Sequence, residues 1–269
     1  MSEHDGRVAL ITGGSSGIGQ AVAELLAGQG AAVAVNSADP GAAREVVARI
    51  TGSGGRAVTA VADVTDPAAV RAAAEQVAGQ FGGIDILVTS AGIQRYGTVT
   101  DTTEETWDEV FAVNVKGVFL AARACLPHLR RSGSGAIVIV SSVQATATQA
   151  GVVAYAASKG ALNSFARAVA VDEARHGVRV NTVCPGSVDT PMLRASAALF
   201  AGGASVESTL AAWGSAHPLG RIGAPAEIAH VVSFLASERA SFITGEDVRV
   251  DGGLLAAVAV TLPDTQHGG

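Results

Sequence analysis

The stretch Arg7-Val8-Ala9-Leu10-Ile11-Thr12-Gly13-Gly14-Ser15-Ser16-Gly17-Ile18-Gly19 limits the fold of this chain more than any other. Val8 to Ile11 is a short apolar run, which suits a strand buried on both faces in the middle of a parallel sheet. An amphipathic run, Gln20 to Gln29, follows at once, so a helix is expected to start near Gly17. Gly13, Gly17 and Gly19 fall where a strand-to-helix turn needs positive φ, close backbone approach to a ligand, and tight packing of the helix on the sheet. Free N–H groups at the helix start, added to its dipole, make a seat for an anion, and a pyrophosphate fits it. A plain glycine-rich turn would carry the same letters. So would the Gly-x-Ser-x-Gly elbow of serine hydrolases, Gly13 to Gly17, but its oxyanion loop comes from an earlier strand and only six residues precede Arg7.

At 269 residues, with 48% hydrophobic and 16% charged residues, the chain can bury one large core and is not of disordered type. A net charge of −6 disfavours nucleic acid and acidic membrane surfaces as partners, which leaves a small molecule. Cys125 and Cys184 lie far apart without CxxC spacing, and the six histidines form no HExxH-like cluster, so neither a disulfide framework nor a metal site is expected. Met1 to Gly6 has no signal-peptide character, and no stretch is read as reaching the ~18 apolar residues of a membrane span. A cytoplasmic protein is expected.

Short apolar segments at Ala31 to Val35, Ala57 to Val61, Ile84 to Thr89, Ala136 to Ser141, Val178 to Val183 and Asp247 to Val250 alternate with helical patterns. That alternation predicts α/β architecture: a doubly wound parallel sheet with right-handed crossovers, in one domain over residues 1–253. Pro40, Pro67 and Pro225 each open a helix-like run. Between the strand ending near Cys184 and Pro225 lie about 40 residues, far more than a typical connection, so residues 186–224 are expected to form a substrate lid. Residues 254–269 read as a tail, apolar at first and frayed at its end.

Tyr155-Ala156-Ala157-Ser158-Lys159 falls within Val152 to Ala174, where the pattern predicts a long helix. Four residues apart on a helix is one face, so phenol and ammonium can share a pocket. A nearby cation favours the phenolate, drawing tyrosine from about 10 toward a range where it trades a proton. The chain has sixteen arginines but only two lysines, Lys116 and Lys159, and two tyrosines, Tyr96 and Tyr155, which makes the spacing hard to ascribe to chance.

Together, Thr12-Gly-x-x-x-Gly17-x-Gly19 and Tyr155-x-x-x-Lys159 resemble the short-chain dehydrogenases/reductases of about 250 residues, from Arg7 to about Gly253. Asp63-Val64, Ala91-Gly92, Asn114, Ser141-Ser142 and Pro185-Gly186 match in order. The resemblance implies a Rossmann sheet and hydride transfer between NAD(P)(H) and a substrate. Tyr155 would donate and accept the proton, Lys159 would lower its pKa and hold the nicotinamide ribose, Ser142 would bond the substrate oxygen, and Asn114 would place a water linking Lys159 to solvent. Thr12, Gly13, Ser15, Ser16, Gly17, Ile18 and Gly19 would hold phosphates and ribose, Asp63 and Val64 the adenine, and Val188 and Thr190 the carboxamide, beside Pro185 and Gly186. Ser90, Ala91 and Gly92 would also line the cofactor, although the family usually has asparagine where Ser90 stands, which costs one donor.

The expected substrate wall, Gln144, Gln149, Ser187, Met192 and Trp213 with Ser142, joined by Gln94, Tyr96, Val152 and Leu193, lacks an obvious cation for a carboxylate. A neutral secondary alcohol or ketone is expected; a 3-oxoacyl-carrier-protein reductase or a non-catalytic NAD(P)-binding sensor are the alternatives, and Arg130 and Arg131 read as a solvated helix end in preference to contacts for an acidic carrier protein. Ser37 stands about twenty residues beyond the glycines, where NAD-selective sites place a carboxylate. That favours NADP slightly over NAD, with Asp39 the argument for NAD. The helical runs Thr106 to Arg130 and Val152 to Ala174 carry excess apolar residues, namely Val110, Phe111, Val118, Phe119, Phe165 and Val169, which points to helix packing between subunits. The resemblance implies that these two helices form the main interface of a homotetramer, with Leu254 to Val260 expected in a further contact.

Overall fold

A computed structural model of the chain describes residues 2–258. Seven strands, β1 (Val8–Thr12), β2 (Ala32–Ser37), β3 (Arg56–Val61), β4 (Ile86–Thr89), β5 (Ala136–Val140), β6 (Arg179–Pro185) and β7 (Asp247–Val250), pair in the order β3-β2-β1-β4-β5-β6-β7. Every neighbouring pair is parallel. β1, β4 and β5 are buried along their whole length, as apolar runs covered on both faces must be. Helices α1 (Gly17–Gly28), α2 (Pro40–Gly52), α3 (Pro67–Phe81), α4 (Glu104–Phe111), α5 (Gly117–Ser132), α6 (Val153–Glu173), α7 (Pro191–Phe200), α8 (Val206–Gly214) and α9 (Pro225–Ala236) follow in chain order. One core cluster joins Val77, Leu129, Leu162 and Ala166 to one face of the sheet, and another joins Val22, Leu26, Val46 and Val232 to the opposite face. The expected doubly wound sheet is what forms.

The prolines act as expected at helix starts. Pro40 and Pro67 stand at first turns whose preceding residues, Asp39 and Asp66, accept backbone N–H bonds as caps. Such a cap contributes about 1 kcal/mol. Pro191 does the same behind the Thr190 cap and starts α7 inside the expected lid. Residues 186–224 are therefore not a structureless loop but a segment carrying two helices, α7 and α8.

The single helix expected over Thr106 to Arg130 is divided. Between α4 and α5, Ala112–Lys116 forms a π-helical turn in which the Gly117 N–H reaches Ala112 O. Such turns widen the helix by one residue and are common at functional sites. Contrary to the reading of no span-length apolar stretch, Glu104–Ser132 contains an 18-residue window apolar enough to cross a membrane. Its apolar side, Val118, Leu120, Ala121, Ala122, Cys125 and Leu129, is spent on the core beneath the sheet.

The expected apolar excess on α4, α5 and α6 is also smaller than the sequence suggested. Val110 and Val118 are buried inside the chain, and Phe165 and Val169 pack partly on its own core. Trp107, Phe119 and Val171 are the large apolar groups that stay exposed on these helices. Of the expected tail contact, Leu254 and Leu255 are described, whereas residues 259–269, including Val260, lie outside the described residues.

Candidate active site

β1 continues to β2 on one side and β4 to β5 on the other, which opens a crevice beyond their carboxyl ends. Thr12 and Thr89 end these two strands side by side. Gly13, at φ +64°, lies so close to the β4 exit that a Cβ would sit 2.6 Å from Ala91 N. At Gly19 a Cβ would strike Gly13 O at 2.2 Å, so glycine is required for α1 to press against the loop. Ser16 precedes α1 in extended conformation and caps it with no side-chain bond. The first-turn N–H groups thus face the crevice without a side-chain acceptor, beside the positive end of α1. This cradle fits a pyrophosphate.

The adenosine end fits as well. Ser15 Oγ donates to Ser37 Oγ at 3.0 Å, and Asp39 N–H donates to the same oxygen at 3.1 Å. Asp39 itself is committed to α2, its Oδ1 accepting from Gly41 and Ala42 N–H. Asp63 Oδ1 accepts from Thr65 N–H and Oγ1, bonds that hold its carboxyl below the usual carboxylate range, the backbone bond being the stronger. Val64 is buried against Gly117, where a Cβ would meet it at 2.9 Å. Ser90 N–H donates to Thr12 O, so the β1–β4 junction closes through backbone without an asparagine.

At the other end of the crevice four side chains converge from three elements. Asn114, fully buried on the π turn, accepts from Ile93 N–H and donates to Ile93 O and Ser158 Oγ. Ser158 in turn donates to Tyr155 O at 2.7 Å, so the π turn is bonded to α6 beside the tyrosine. Ser142, just past β5, accepts from Gln144 N–H at 3.1 Å. That bond occupies one lone pair and leaves the hydroxyl proton to be aimed elsewhere. Lys159 Nζ donates to Val140 O at 2.9 Å and stands 5.5 Å from the centre of the Tyr155 ring.

The electrostatics differ from the sequence expectation. Burial pushes the Tyr155 phenol up to about 12, against a smaller lowering by the Ser142 hydroxyl and with a small addition from Tyr96. Burial also pulls the Lys159 ammonium down to about 8, with Cys184 opposing slightly. The expected lowering of the tyrosine by the lysine is absent in the chain alone, because both groups are desolvated and the ammonium is bonded to a backbone carbonyl.

These residues line a cleft of about 570 Å³. Gly13, Ser16, Gly17, Ile18, Ser90, Ala91 and Gly92 form one end, and Ser142, Tyr155 and Lys159 stand deep in it with Pro185, Gly186, Val188 and Thr190. All five expected wall residues, Gln144, Gln149, Ser187, Met192 and Trp213, face it, as do Gln94, Tyr96 and Leu193, whereas Val152 is buried away from it. Thr12, Ser15, Gly19, Ser37, Asp63, Val64 and Asn114 lie behind or beyond the lining. Ala147, Thr148, Ser196, His217, Leu254 and Leu255 also line it and were not expected. Ala147 and Thr148 come from the segment between β5 and α6, and the others from α7, the turn after α8 and the chain after β7 folding over the cleft, which no local pattern signals. Arg130, weighed as a carrier contact against a solvated helix end, is paired with Glu173 by two bonds.

Comparison with known proteins decides the family. The profile of a family described as enoyl-(acyl carrier protein) reductase matches residues 13–255. Versicolorin reductase of Emericella nidulans is 42% identical over 258 residues, covering 93% of this chain and 96% of that one. The chain belongs to the short-chain dehydrogenase/reductase family. Other members at similar distance are cis-4-hydroxycyclohexanecarboxylate dehydrogenase of Sinomonas cyclohexanicum, 39% identical over 93% of this chain and 97% of that one, and 3-oxoacyl-[acyl-carrier-protein] reductase of Escherichia coli, 35% identical over 93% and 98%. The ligand-free aldohexose dehydrogenase of Thermoplasma acidophilum superposes with a TM-score of 0.89 at 36% identity, covering 98% of this chain and 99% of that one. As a short-chain dehydrogenase/reductase the protein is an NAD(P)-dependent oxidoreductase acting on a small molecule.

Proposed function

We propose that this enzyme interconverts a neutral secondary alcohol and its ketone, with Tyr155 exchanging the proton at the substrate oxygen. The observation that carries this reading is the lining of the cleft. Among the described residues Lys159 is its one lysine, and no arginine, aspartate or glutamate lines it. Apart from Lys159, which is bonded to Val140 O, a charged substrate would be desolvated there without a partner. A carboxylate such as the one named for the Sinomonas relative would find no guanidinium. Gln94, Gln144, Gln149 and Thr148 provide amide and hydroxyl contacts, while Met192, Leu193, Trp213 and Leu255 provide an apolar wall.

The chemistry then follows from the chain's own groups. Ser142, with one lone pair held by Gln144 N–H, donates its proton to the substrate oxygen. Tyr155, kept protonated by burial, is the acid in the reducing direction. Lys159 keeps its charge close to the developing phenolate, and the bond to Val140 O sets its height beneath the tyrosine. Bound NADPH or NADH would supply the hydride. Its phosphates would lie on the first turn of α1, and Val188 and Thr190 would meet its carboxamide.

For the nucleotide we favour NADPH modestly. Ser37 accepts from Ser15 and Asp39, so its own proton is left for an acceptor on the ribose, and Asp39 is held as the α2 cap. Exposed Trp107, Phe119 and Val171 support a homotetramer formed through α4, α5 and α6, and two buried thiols, Cys125 and Cys184, suit the cytoplasm. Light scattering at micromolar concentration should give four times the chain mass; a monomer would oppose the assembly.

The test of activity is a panel of neutral alcohols and ketones followed by cofactor absorbance, with NADPH and NADH supplied separately. Turnover of neutral ketones above their charged analogues is expected. Tight cofactor binding without turnover of any member would favour the sensor. Preference for β-ketoacyl thioesters would favour the carrier-protein reductase.

A further inference from the structure

His217 lies just beyond α8, almost wholly buried, and both its ring nitrogens are engaged. Nδ1 meets Trp213 O at 3.1 Å, and Nε2 accepts from Ser187 N–H at 3.1 Å. A carbonyl only accepts and a backbone N–H only donates, so the ring is the neutral tautomer with its proton on Nδ1. One end of the ring thus holds the last turn of α8, which carries Trp213 on the cleft wall. The other end holds the Ser187 peptide, whose carbonyl accepts from Gly223 N–H at 2.8 Å. The next residue, Val188, pairs with Gly223 as an isolated bridge.

The packing is as specific as the bonding. A Cβ at Gly186 would lie 2.9 Å from His217 Nε2, and one at Gly252 would lie 3.5 Å from its Cβ. The ring therefore fills the space left by two glycines, between the β6 exit, the β7 exit and α8. Asp251, which also packs against Gly186, accepts from Gly253 and Leu255 N–H.

We propose that His217 is a positioning residue that fixes the Trp213 wall of the substrate cleft to the Pro185–Thr190 loop. It touches no reacting atom. Its role is to set the width of the cleft between α8 and the loop, and so to govern how tightly the ketone is held. This role rests on the ketone-reducing reading only in its kinetic consequence.

Two substitutions separate the two bonds. In His217→Asn the amide nitrogen can stand where Nδ1 stood and keep Trp213 O, leaving Ser187 N–H without an acceptor. In His217→Gln the longer side chain places an oxygen near the Nε2 position and keeps Ser187. Both would be made beside Trp107→Phe, so that Trp213 is the sole tryptophan. Acrylamide quenching of Trp213 reads the wall, NADPH fluorescence reads cofactor binding, and the panel ketone that the parent reduces fastest reads KM and kcat.

Expected in His217→Asn are more efficient quenching of Trp213 and a ketone KM raised about tenfold, from one buried N–H left unpaired. NADPH affinity and kcat should stay within about twofold, and His217→Gln, which breaks the other half of the link by releasing Trp213 O, should shift quenching and KM in the same direction. The proposal is overturned if quenching of Trp213 in either variant equals the parent's. Because quenching and NADPH binding need no turnover, a chain that reduces no ketone would defeat the functional reading while leaving this test decisive.

Discussion

Lys159 is placed beneath Tyr155, one helical turn along α6, but its hydrogen bond goes to Val140 O and not to the phenol. The pair is therefore a fixed charge under a protonated acid. Desolvation pushes the phenol up to about 12, which keeps it protonated, and pulls the ammonium down to about 8, which weakens its hold on the proton but leaves it charged at neutral pH. The contact that brings the phenolate within reach must arise when substrate and cofactor fill the cleft.

Replacing Tyr155 by Phe should lower kcat by about 10²–10⁴ while leaving cofactor affinity near the parent value, since only the proton-exchanging atom is lost. Steady-state kinetics with NADPH fluorescence titration checks both halves. Comparable turnover in the variant would remove Tyr155 from the mechanism.

Lys159→Arg should fail as well. The planar guanidinium is too wide for a site whose Nζ is buried and bonded at 2.9 Å to Val140 O. A variant with parent kinetics would show that charge alone is sufficient.

Ser37→Asp should turn cofactor preference toward NADH, because a carboxylate at the ribose repels a 2′-phosphate. The measurement is kcat/KM for each cofactor in parent and variant. A parent that already prefers NADH more than about tenfold, or about 1.4 kcal/mol, would transfer the discrimination from Ser37 to Asp39.

His4 predicts a pH effect on stability. It is wholly buried, its Nε2 facing Ser233 Oγ at 3.1 Å, and burial, with Arg7 second, lowers its pKa below 6.5. Ser233 Oγ donates to Gln29 Oε1, so the ring must donate from Nε2, and a second proton would be forced onto Nδ1, which is buried without a partner. Below pH 6.5 the unfolded chain takes up a proton that the folded chain resists, so stability is full above that pH and falls as pH drops through it. Chemical denaturation between about pH 4.5 and 6.5 should show this slope, and His4→Gln should flatten it. An unchanged slope in the variant would assign the effect elsewhere.

The sheet and the juxtaposition of Tyr155 with Lys159 were legible because each is written locally: unbroken apolar runs for β1 and β5, proline behind aspartate for α2 and α3, and a four-residue spacing for the pair. The π turn at Asn114 was not legible, since the apolar period of Thr106 to Arg130 runs through it unbroken and the extra residue serves a bond to Ile93 in another segment. The same holds for His217, whose partners Trp213 and Ser187 meet it only after α8 has folded back. Tyr155 was misjudged electrically for a related reason: spacing gives the neighbour, whereas the depth of burial that outweighs it belongs to the tertiary structure.

The near-contact of Gly13 with Ala91 also bears on the order of assembly. All of α1, β2, α2, β3 and α3 lie between these two residues in the chain. The pyrophosphate cradle therefore has its second side only after β4 has inserted next to β1, a loop closure that spans about 80 residues and is entropically slow to achieve. A chain emerging from the ribosome carries the whole glycine motif long before it can grip a nucleotide. Cofactor binding consequently rewards no half-made sheet: by mass action it stabilises only molecules in which the central strands have already paired, and so pulls the folding equilibrium toward the correctly threaded one.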